Sequence, residues 1–108
     1  MMDESTYLAI ADKTLQALSD AVERADAGGM LDIELNHGIL TLSLEDKRQF
    51  VVNRHTASRQ IWMSSPVSGA SHHKYITDED AWVDGEGREL GELLQADLKQ
   101  AAGLVIDI

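Results

Sequence analysis

Residues 31–63 read LDIELNHGILTLSLEDKRQFVVNRHTASRQIWM, and this stretch decides the fold. Apolar residues occupy every second position from Leu31 to Leu35 and again from Leu40 to Leu44, which is the period of a β-strand with one buried face. Asn36-His37-Gly38, between the two runs, is a turn sequence. The segments FVVN and QIWM then follow at short intervals. Because short connections join antiparallel neighbours, the stretch predicts four antiparallel strands.

Outward from this stretch the apolar period changes to that of a helix. Residues 3–27 carry apolar side chains at spacings of three and four, with capping residues at the start and Gly28-Gly29 at the end. On the other side, two weaker strands are predicted near 73–76 and 81–83. A second helical stripe then runs from Leu90 to Ala101 and ends at Gly103.

The order of helix, five or six antiparallel strands and helix predicts an α+β fold. Its simplest packing is a two-layer α-β sandwich, with the N- and C-terminal helices on one face of the sheet. A chain of 108 residues leaves no room for a second domain, so we expect residues 1–108 to form one domain.

Composition narrows the possible functions. The chain has 19 acidic and 9 basic residues, which gives a formal charge of −10. This charge argues against nucleic acid or an anionic membrane as a partner, and favours cations and basic proteins. The chain has no cysteine, so disulfides, thiolate-held metals and cysteine nucleophiles are excluded. No apolar run is long enough for a membrane span, and no catalytic motif is found.

Carboxylates are the strongest candidate ligands. A helical wheel places Asp12, Asp20 and Glu23 on one flank of the first helix, and Asp26 projects from its last turn. Asp32 and Glu34 point the same way from the first strand. Such a ridge of carboxylates suits a weakly bound hard or borderline cation. We use the name acidic ridge below for the five of these residues that the family resemblance also indicates: Asp20, Glu23, Asp26, Asp32 and Glu34. From composition alone, the commoner origin of such charge is a solvated face that keeps the protein soluble.

The helix-free face of the sheet offers a second candidate site. If Phe50 and Ile61 point inward, Trp62 faces outward together with Asn53 and Gln60, and an exposed tryptophan is a typical binding hot spot. The alternative is that Trp62 lies flat on the sheet and stabilises it through cross-strand contacts. We expect Trp82 to be buried.

Two further residue types call for a structural interpretation. Asp97 falls within the apolar stripe of the second helix, so its carboxylate needs a hydrogen bond or an ion pair. The histidines are not spaced as metal ligands: His72 and His73 point to opposite faces of a strand, and we place His37 and His55 in turns.

The segment FVVNRHTASRQIWMSSPVSG, residues 50–69, closely resembles the signature of the frataxin family. The family's Asn, basic residue and Gln-like position, then Gln-Ile-Trp, Ser-Ser-Pro and Ser-Gly, occur here in order. The residues that carry this match are Asn53, Arg54, His55, Gln60, Ile61, Trp62, Ser64, Ser65, Pro66, Ser68 and Gly69. Residues 35–44 and 90–98 are also similar to the family, so the resemblance covers nearly the whole chain.

This resemblance implies an iron-binding protein of iron–sulfur cluster assembly, acting as an iron-dependent regulator or an iron donor. Iron, as Fe²⁺ or Fe³⁺, would bind weakly on the acidic ridge, which the family pattern carries over as Asp20, Glu23, Asp26, Asp32 and Glu34. Asn53, Gln60 and Trp62 would dock on the cysteine desulfurase and scaffold proteins. The resemblance implies a non-catalytic monomer, with at most weak ferroxidase activity and with oligomers formed only with iron.

The sequence departs from the family pattern both at the acidic ridge and near the docking residues. Ser19, Arg24 and Gly28 stand where members often carry further carboxylates, and His55 and His73 stand where Gln and an aromatic residue are usual. No mitochondrial presequence precedes the first helix. We therefore expect a bacterial cytoplasmic member, or a trimmed form of a protein of the mitochondrial matrix.

Two alternatives stay open. An iron-oxidising or iron-storage protein would be expected to pair buried carboxylates with histidine, a pattern that this sequence lacks. A generic acidic interaction domain would attract cations only as counterions.

Overall fold

A computed structural model describes residues 2–108 and places two helices against one antiparallel sheet. The elements are α1 (Glu4–Ala25), β1 (Asp32–Asn36), β2 (Ile39–Ser43), β3 (Gln49–His55), β4 (Gln60–Ser65), β5 (Gly69–Ile76), β6 (Ala81–Val83) and α2 (Leu90–Ala102). Short 3₁₀ turns, Thr56–Ser58 and Thr77–Glu79, join β3 to β4 and β5 to β6.

The six strands lie side by side in chain order, and each pairs antiparallel with the next. The predicted α+β sandwich is therefore confirmed, with six strands. β5 begins at Gly69 and is longer than the sequence pattern indicated; its first residues carry no large apolar side chain, so the apolar period did not reveal them. β1 forms one edge of the sheet and β6 the other.

The core lies between the sheet and the helices. Strand residues of one parity are buried, and residues of the other parity face away from the helices. Each fully buried large apolar side chain stabilises the fold by about 1.5 to 3 kcal/mol relative to exposure. The largest are Tyr7, Leu15, Leu40, Leu42, Phe50, Ile61, Met63, Leu90, Leu94, Leu98 and Ile106. Trp82 is buried as predicted, and its indole N–H donates to the Thr14 hydroxyl at 3.0 Å.

Local chemistry explains where α1 begins and how the first hairpin turns. Asp3 caps α1 by accepting a 2.8 Å hydrogen bond from the Thr6 N–H. His37 and Gly38 form a two-residue turn between β1 and β2, with φ angles of 51° and 77°. A Cβ at Gly38 would lie 2.8 Å from Cγ of Arg54, whose guanidinium forms an ion pair with Asp12 of α1. Glycine thus lets Arg54 connect the hairpin to the helix.

Asp97 has hydrogen-bond partners, as predicted for a carboxylate within the apolar stripe of the second helix. Its Oδ2 accepts hydrogen bonds from the hydroxyls of Ser65, at 2.7 Å, and Ser68, at 2.6 Å.

Within residues 2–108, no helix combines the length and apolarity needed to cross a bilayer.

Candidate functional site

The acidic ridge runs around the β1 edge of the molecule. α1 lies against β1, and Asp20 and Glu23 are exposed on the helix. In β1, Ile33 packs against the core, so Asp32 and Glu34 point out from the opposite face of the sheet. The four exposed carboxylates therefore belong to two layers: the edge strand β1 and the helix that packs against it.

Asp26 differs from the other members of the ridge. It is buried, and its two carboxylate oxygens accept hydrogen bonds from the backbone N–H groups of Met30 and Leu31, both at 2.9 Å. These bonds hold the connection between α1 and β1 in place. The geometry favours Asp26 as a residue that shapes the ridge, because both of its oxygens are engaged with the backbone.

The ridge has the chemistry of an open site for hard cations. Asp20 accepts a hydrogen bond from Gln16 and Glu34 accepts one from Asn36, both at 2.9 Å, so both carboxylates already have neutral partners. Among residues 2–108, no three acidic or histidine side chains are grouped so as to enclose a metal ion. A cation here would keep much of its water and bind weakly.

A stack of three rings crosses the helix-free face of the sheet. The indole of Trp62 on β4 lies between the imidazoles of His55 on β3 and His72 on β5. The ring centroids are 3.7 and 4.0 Å apart, with interplanar angles of 7° and 13°. Rings on neighbouring strands that stack face to face must stand upright on the sheet. Trp62 is thus half-buried and presents its edge to solvent; it does not lie flat.

Gln60 fixes the orientation of the indole. Its Oε1 accepts a 2.7 Å hydrogen bond from Nε1 of Trp62, and its backbone carbonyl accepts a 2.6 Å bond from the hydroxyl of Tyr7 on α1. Asn53 pairs directly with Trp62 across β3 and β4. The three residues that the sequence pattern assigned to docking are therefore brought together on one face.

The histidine stack was missed by the sequence reasoning. His55 is the last residue of β3; the prediction that it lies in a turn is wrong. His72 is directly opposite Trp62, as the register of β4 and β5 shows. Parity alone places Trp62 and His72 on outward faces, but only the register brings their rings into contact.

Ser71 and His73 form a hydrogen-bonded serine–histidine pair on the inner side of the sheet. The Ser71 hydroxyl is 2.8 Å from Nε2 of His73, and both residues are buried. Within the described chain, Nδ1 of His73 has no hydrogen-bond partner. Burial lowers the pKa of His73 below its usual value of 6.5, against the opposing charge of Asp84. A buried serine and histidine without a third orienting group have neither the access nor the geometry of a hydrolytic triad.

The sequence and the fold match one protein family. A family model described as a frataxin-like domain matches residues 1–104. The chain belongs to the frataxin family.

Relatives of this frataxin-family chain come from bacteria and from mitochondria. It is 34% identical over 106 residues to the iron–sulfur cluster assembly protein CyaY of Thioalkalivibrio sulfidiphilus, a match that covers 97% of this chain and 98% of that protein. It is 38% identical over 92 residues to the mitochondrial frataxin homolog of Schizosaccharomyces pombe, covering 81% of this chain and 58% of that one.

Solved frataxins share the fold. The frataxin of Psychromonas ingrahamii superimposes with a TM-score of 0.86 at 24% identity, over 98% of this chain and 97% of that one. The trimeric frataxin of Saccharomyces cerevisiae, complexed with ferrous iron, gives a TM-score of 0.73 at 28% identity, over 95% of this chain and 88% of that one.

Proposed function

We propose that this chain serves iron–sulfur cluster assembly, binding iron weakly on the acidic ridge and docking on the cysteine desulfurase and scaffold proteins through its sheet face. The observation that supports the proposal most strongly is membership of the frataxin family. Within that family, a CyaY relative matches this chain over almost its whole length. In this role the chain is an iron-dependent regulator or an iron donor, working in a bacterial cytoplasm or a mitochondrial matrix.

The chemistry of the ridge supports iron as its cation. Asp20, Glu23, Asp32 and Glu34 are exposed carboxylates, and oxygen ligands favour hard and borderline ions such as Fe³⁺ and Fe²⁺. Because the set is open to water, the affinity is low enough for iron to be released or sensed. Asp26 takes part by fixing the start of β1.

The sheet face supports a separate docking surface. Trp62 presents a rigid indole edge close to Asn53 and Gln60, and its position is held by stacking and by a hydrogen bond. Large rigid aromatic groups gain binding energy at a low entropy cost. The ridge and the indole lie in different parts of the fold, so metal binding and docking are separable by mutation.

An anaerobic titration with ferrous iron tests the iron site. Amide chemical shifts should change at the ridge and saturate, and a variant with Asp20→Asn and Glu23→Gln should lose these changes. Asp78→Asn with Glu79→Gln is the matched control, because it removes the same charge at the β5–β6 connection. Diffuse, non-saturating shifts would instead favour an acidic interaction domain. Iron oxidation with turnover in air would favour an iron-oxidising or storage protein.

Reconstituted cluster assembly tests the rest of the proposal. Purified desulfurase and scaffold should bind the wild-type chain, and the assembly rate should change when it is added with iron. A rate that is the same with and without the chain, at saturating protein and iron, contradicts the proposed role.

A further inference from the structure

The stack of His55, Trp62 and His72 holds two titratable rings against the proposed docking residue. Imidazoles change charge between about pH 5 and 8. We propose that protonation of His55 and His72 converts the surface around Trp62 into a cationic aromatic patch that receives an acidic side chain of a protein partner. This inference rests on the proposed function, in which the same face docks, and adds the chemistry and the pH dependence of docking.

The stacking geometry is favourable for the protonated rings. Their centroids lie 3.7 and 4.0 Å from the ring centroid of Trp62, well within the distance of about 6 Å at which a cation is attracted to an aromatic face. Each proton therefore strengthens the contact that holds the indole upright. The docking edge is presented in the same orientation, with added positive charge on both sides.

The hydrogen bonds around His55 accommodate either charge state. Nδ1 of His55 is 2.7 Å from the hydroxyl oxygen of Ser58, which lies 3.2 Å from Oε1 of Gln60. With a neutral ring, the Ser58 hydroxyl donates to Nδ1. With a protonated ring, Nδ1–H donates to Ser58 and the hydroxyl donates to Gln60. Neither state leaves Nδ1 of His55 without a partner.

The charged groups around His72 balance one another while the ring is neutral. Lys74 lies two residues further along β5 and on the same face, and both side chains are exposed. The groove beside them is also lined by Arg88, Asp84 and Glu86 from the loop after β6. Arg88 forms ion pairs with both of these acids, at 2.8 and 3.2 Å; its single positive charge offsets one of them, and Lys74 offsets the other. Protonation of the stacked histidines therefore makes this patch positive.

The remaining elements beside the stack contribute neutral groups. From β4 the facing side chains are Gln60 and Ser64, from β3 Asn53, and from β6 Val83. With both histidines protonated, this area gains two positive charges next to Lys74, on a protein whose overall charge is −10. An acidic partner group is attracted to this patch and repelled by the ridge, which sets the orientation of docking.

The test compares binding at two pH values. The dissociation constant for the purified desulfurase–scaffold complex is measured at pH 6 and pH 8 for the wild type, for His55→Gln with His72→Gln, and for His37→Asn. His37 is an exposed histidine in the β1–β2 turn and serves as the control. Circular dichroism verifies that each variant is folded at both pH values. We expect the wild type and His37→Asn to bind several-fold more tightly at pH 6, and the double variant to lose this difference.

Two results overturn the inference while leaving the proposed function intact. One is equal affinity of the wild type at both pH values. The other is an unchanged pH dependence in the double variant, which would assign the effect to titrating groups of the partner.

A second measurement tests the cationic patch even if the proposed docking function is wrong. If the wild type binds the complex at neither pH, the docking proposal fails. Sodium acetate is then titrated against sodium chloride at equal ionic strength. An acetate-specific shift of the Trp62 indole N–H at pH 6, absent from the double variant, supports the cationic patch. Identical shifts in the two proteins overturn it.

Discussion

The hydroxyl of Ser65, the last residue of β4, donates a 2.7 Å hydrogen bond to the carboxylate of Asp97 within α2. The same Ser65 oxygen accepts the backbone N–H of Val67 at 3.1 Å. Ser68 donates a second hydrogen bond to Asp97, at 2.6 Å. The buried carboxylate therefore fastens the β4–β5 turn to the helix layer, behind the sheet face that carries Trp62.

Replacing Ser65 by alanine should destabilise the fold. The substitution leaves Val67 N–H without its acceptor and removes one of the two hydroxyl donors of a buried carboxylate, so we expect the free energy of unfolding to fall by about 1 to 3 kcal/mol. Urea denaturation measures this change. Ser64→Ala is the matched control, because Ser64 is exposed on the outer face and should change stability by less than about 0.5 kcal/mol. Equal effects of the two substitutions would contradict the role given to Asp97.

Much of the fold could be predicted because burial follows a simple period in most elements. Leu40 and Leu42 alternate with polar residues and are fully buried. The start of β5 escaped prediction because Ser71 and His73, both polar, point into the core and pair with each other. A hydrogen-bonded polar pair can replace an apolar one in the interior, and no period of apolar residues reveals it.

At the candidate sites, the sequence pattern likewise predicts which way a side chain points but not which residues it contacts. The outward direction of Trp62 follows from parity, whereas the His72 contact depends on which residue of β5 lies opposite. The position of Asp26 at the end of α1 suggested a ligand. Its engagement by Met30 and Leu31 depends on the path of the connecting loop, which periodicity does not determine.

His73 should make stability fall as the solution is acidified. Burial lowers the pKa of His73 below its unfolded value of 6.5, so below that pH the unfolded chain binds more protons than the folded chain. The contribution of neutral His73 to the free energy of unfolding is complete above about pH 6.5. It decreases as pH falls toward the folded pKa, with a slope of at most about 1.4 kcal/mol per pH unit. Denaturant unfolding between pH 5 and 8 measures this dependence.

His73→Phe should flatten this part of the stability profile, because phenylalanine does not titrate. His37→Asn is the control: His37 is exposed in a turn, so its removal should leave the slope unchanged. A variant at position 73 that keeps the wild-type slope would show that other groups cause it.

Asp26→Asn should affect stability more than iron affinity. Asparagine has one acceptor oxygen in place of two, so one of the N–H groups of Met30 and Leu31 loses its partner, and we expect a loss of about 1 to 2 kcal/mol. Asp20→Asn, on the exposed flank of α1, should lower the iron affinity more than the stability. Thermal unfolding and an anaerobic Fe²⁺ titration of both variants make the comparison. A stable Asp26→Asn protein that no longer binds iron would return Asp26 to the ligand set.

Trp62→Arg should weaken docking with a moderate loss of stability. The substitution removes two ring contacts and the hydrogen bond to Gln60, which together are expected to stabilise the fold by about 1 to 2 kcal/mol. Loss of a hot spot lowers binding energy by about 2 kcal/mol or more, which is at least a tenfold change in affinity. Calorimetric unfolding and binding to the desulfurase–scaffold complex separate the two effects. Normal binding by the folded fraction would remove Trp62 from the interface.

Divalent cations should stabilise the protein more than sodium does at equal ionic strength. Like charges repel more strongly in the compact state than in the expanded chain, and an ion shared by several carboxylates relieves this repulsion, whereas screening is independent of ligand geometry. At a free concentration ten times the dissociation constant, Mn²⁺ bound only to the folded state adds about 1.4 kcal/mol, which raises the unfolding midpoint by several degrees. Calorimetry in MnCl₂ and in NaCl measures this difference.

Neutralising the exposed part of the ridge tests where this cation binds. Asp20→Asn, Glu23→Gln and Asp32→Asn together should raise the metal-free midpoint, because they remove mutual repulsion, and should abolish the extra effect of Mn²⁺. Asp26 is left unchanged, since its loss destabilises the loop. The control triple variant, Asp78→Asn, Glu79→Gln and Glu92→Gln, removes the same charge from exposed positions elsewhere and should keep the Mn²⁺ response. A ridge variant that retains the full stabilisation by Mn²⁺ would place the cation site on another surface, because nonspecific screening is matched between the two variants.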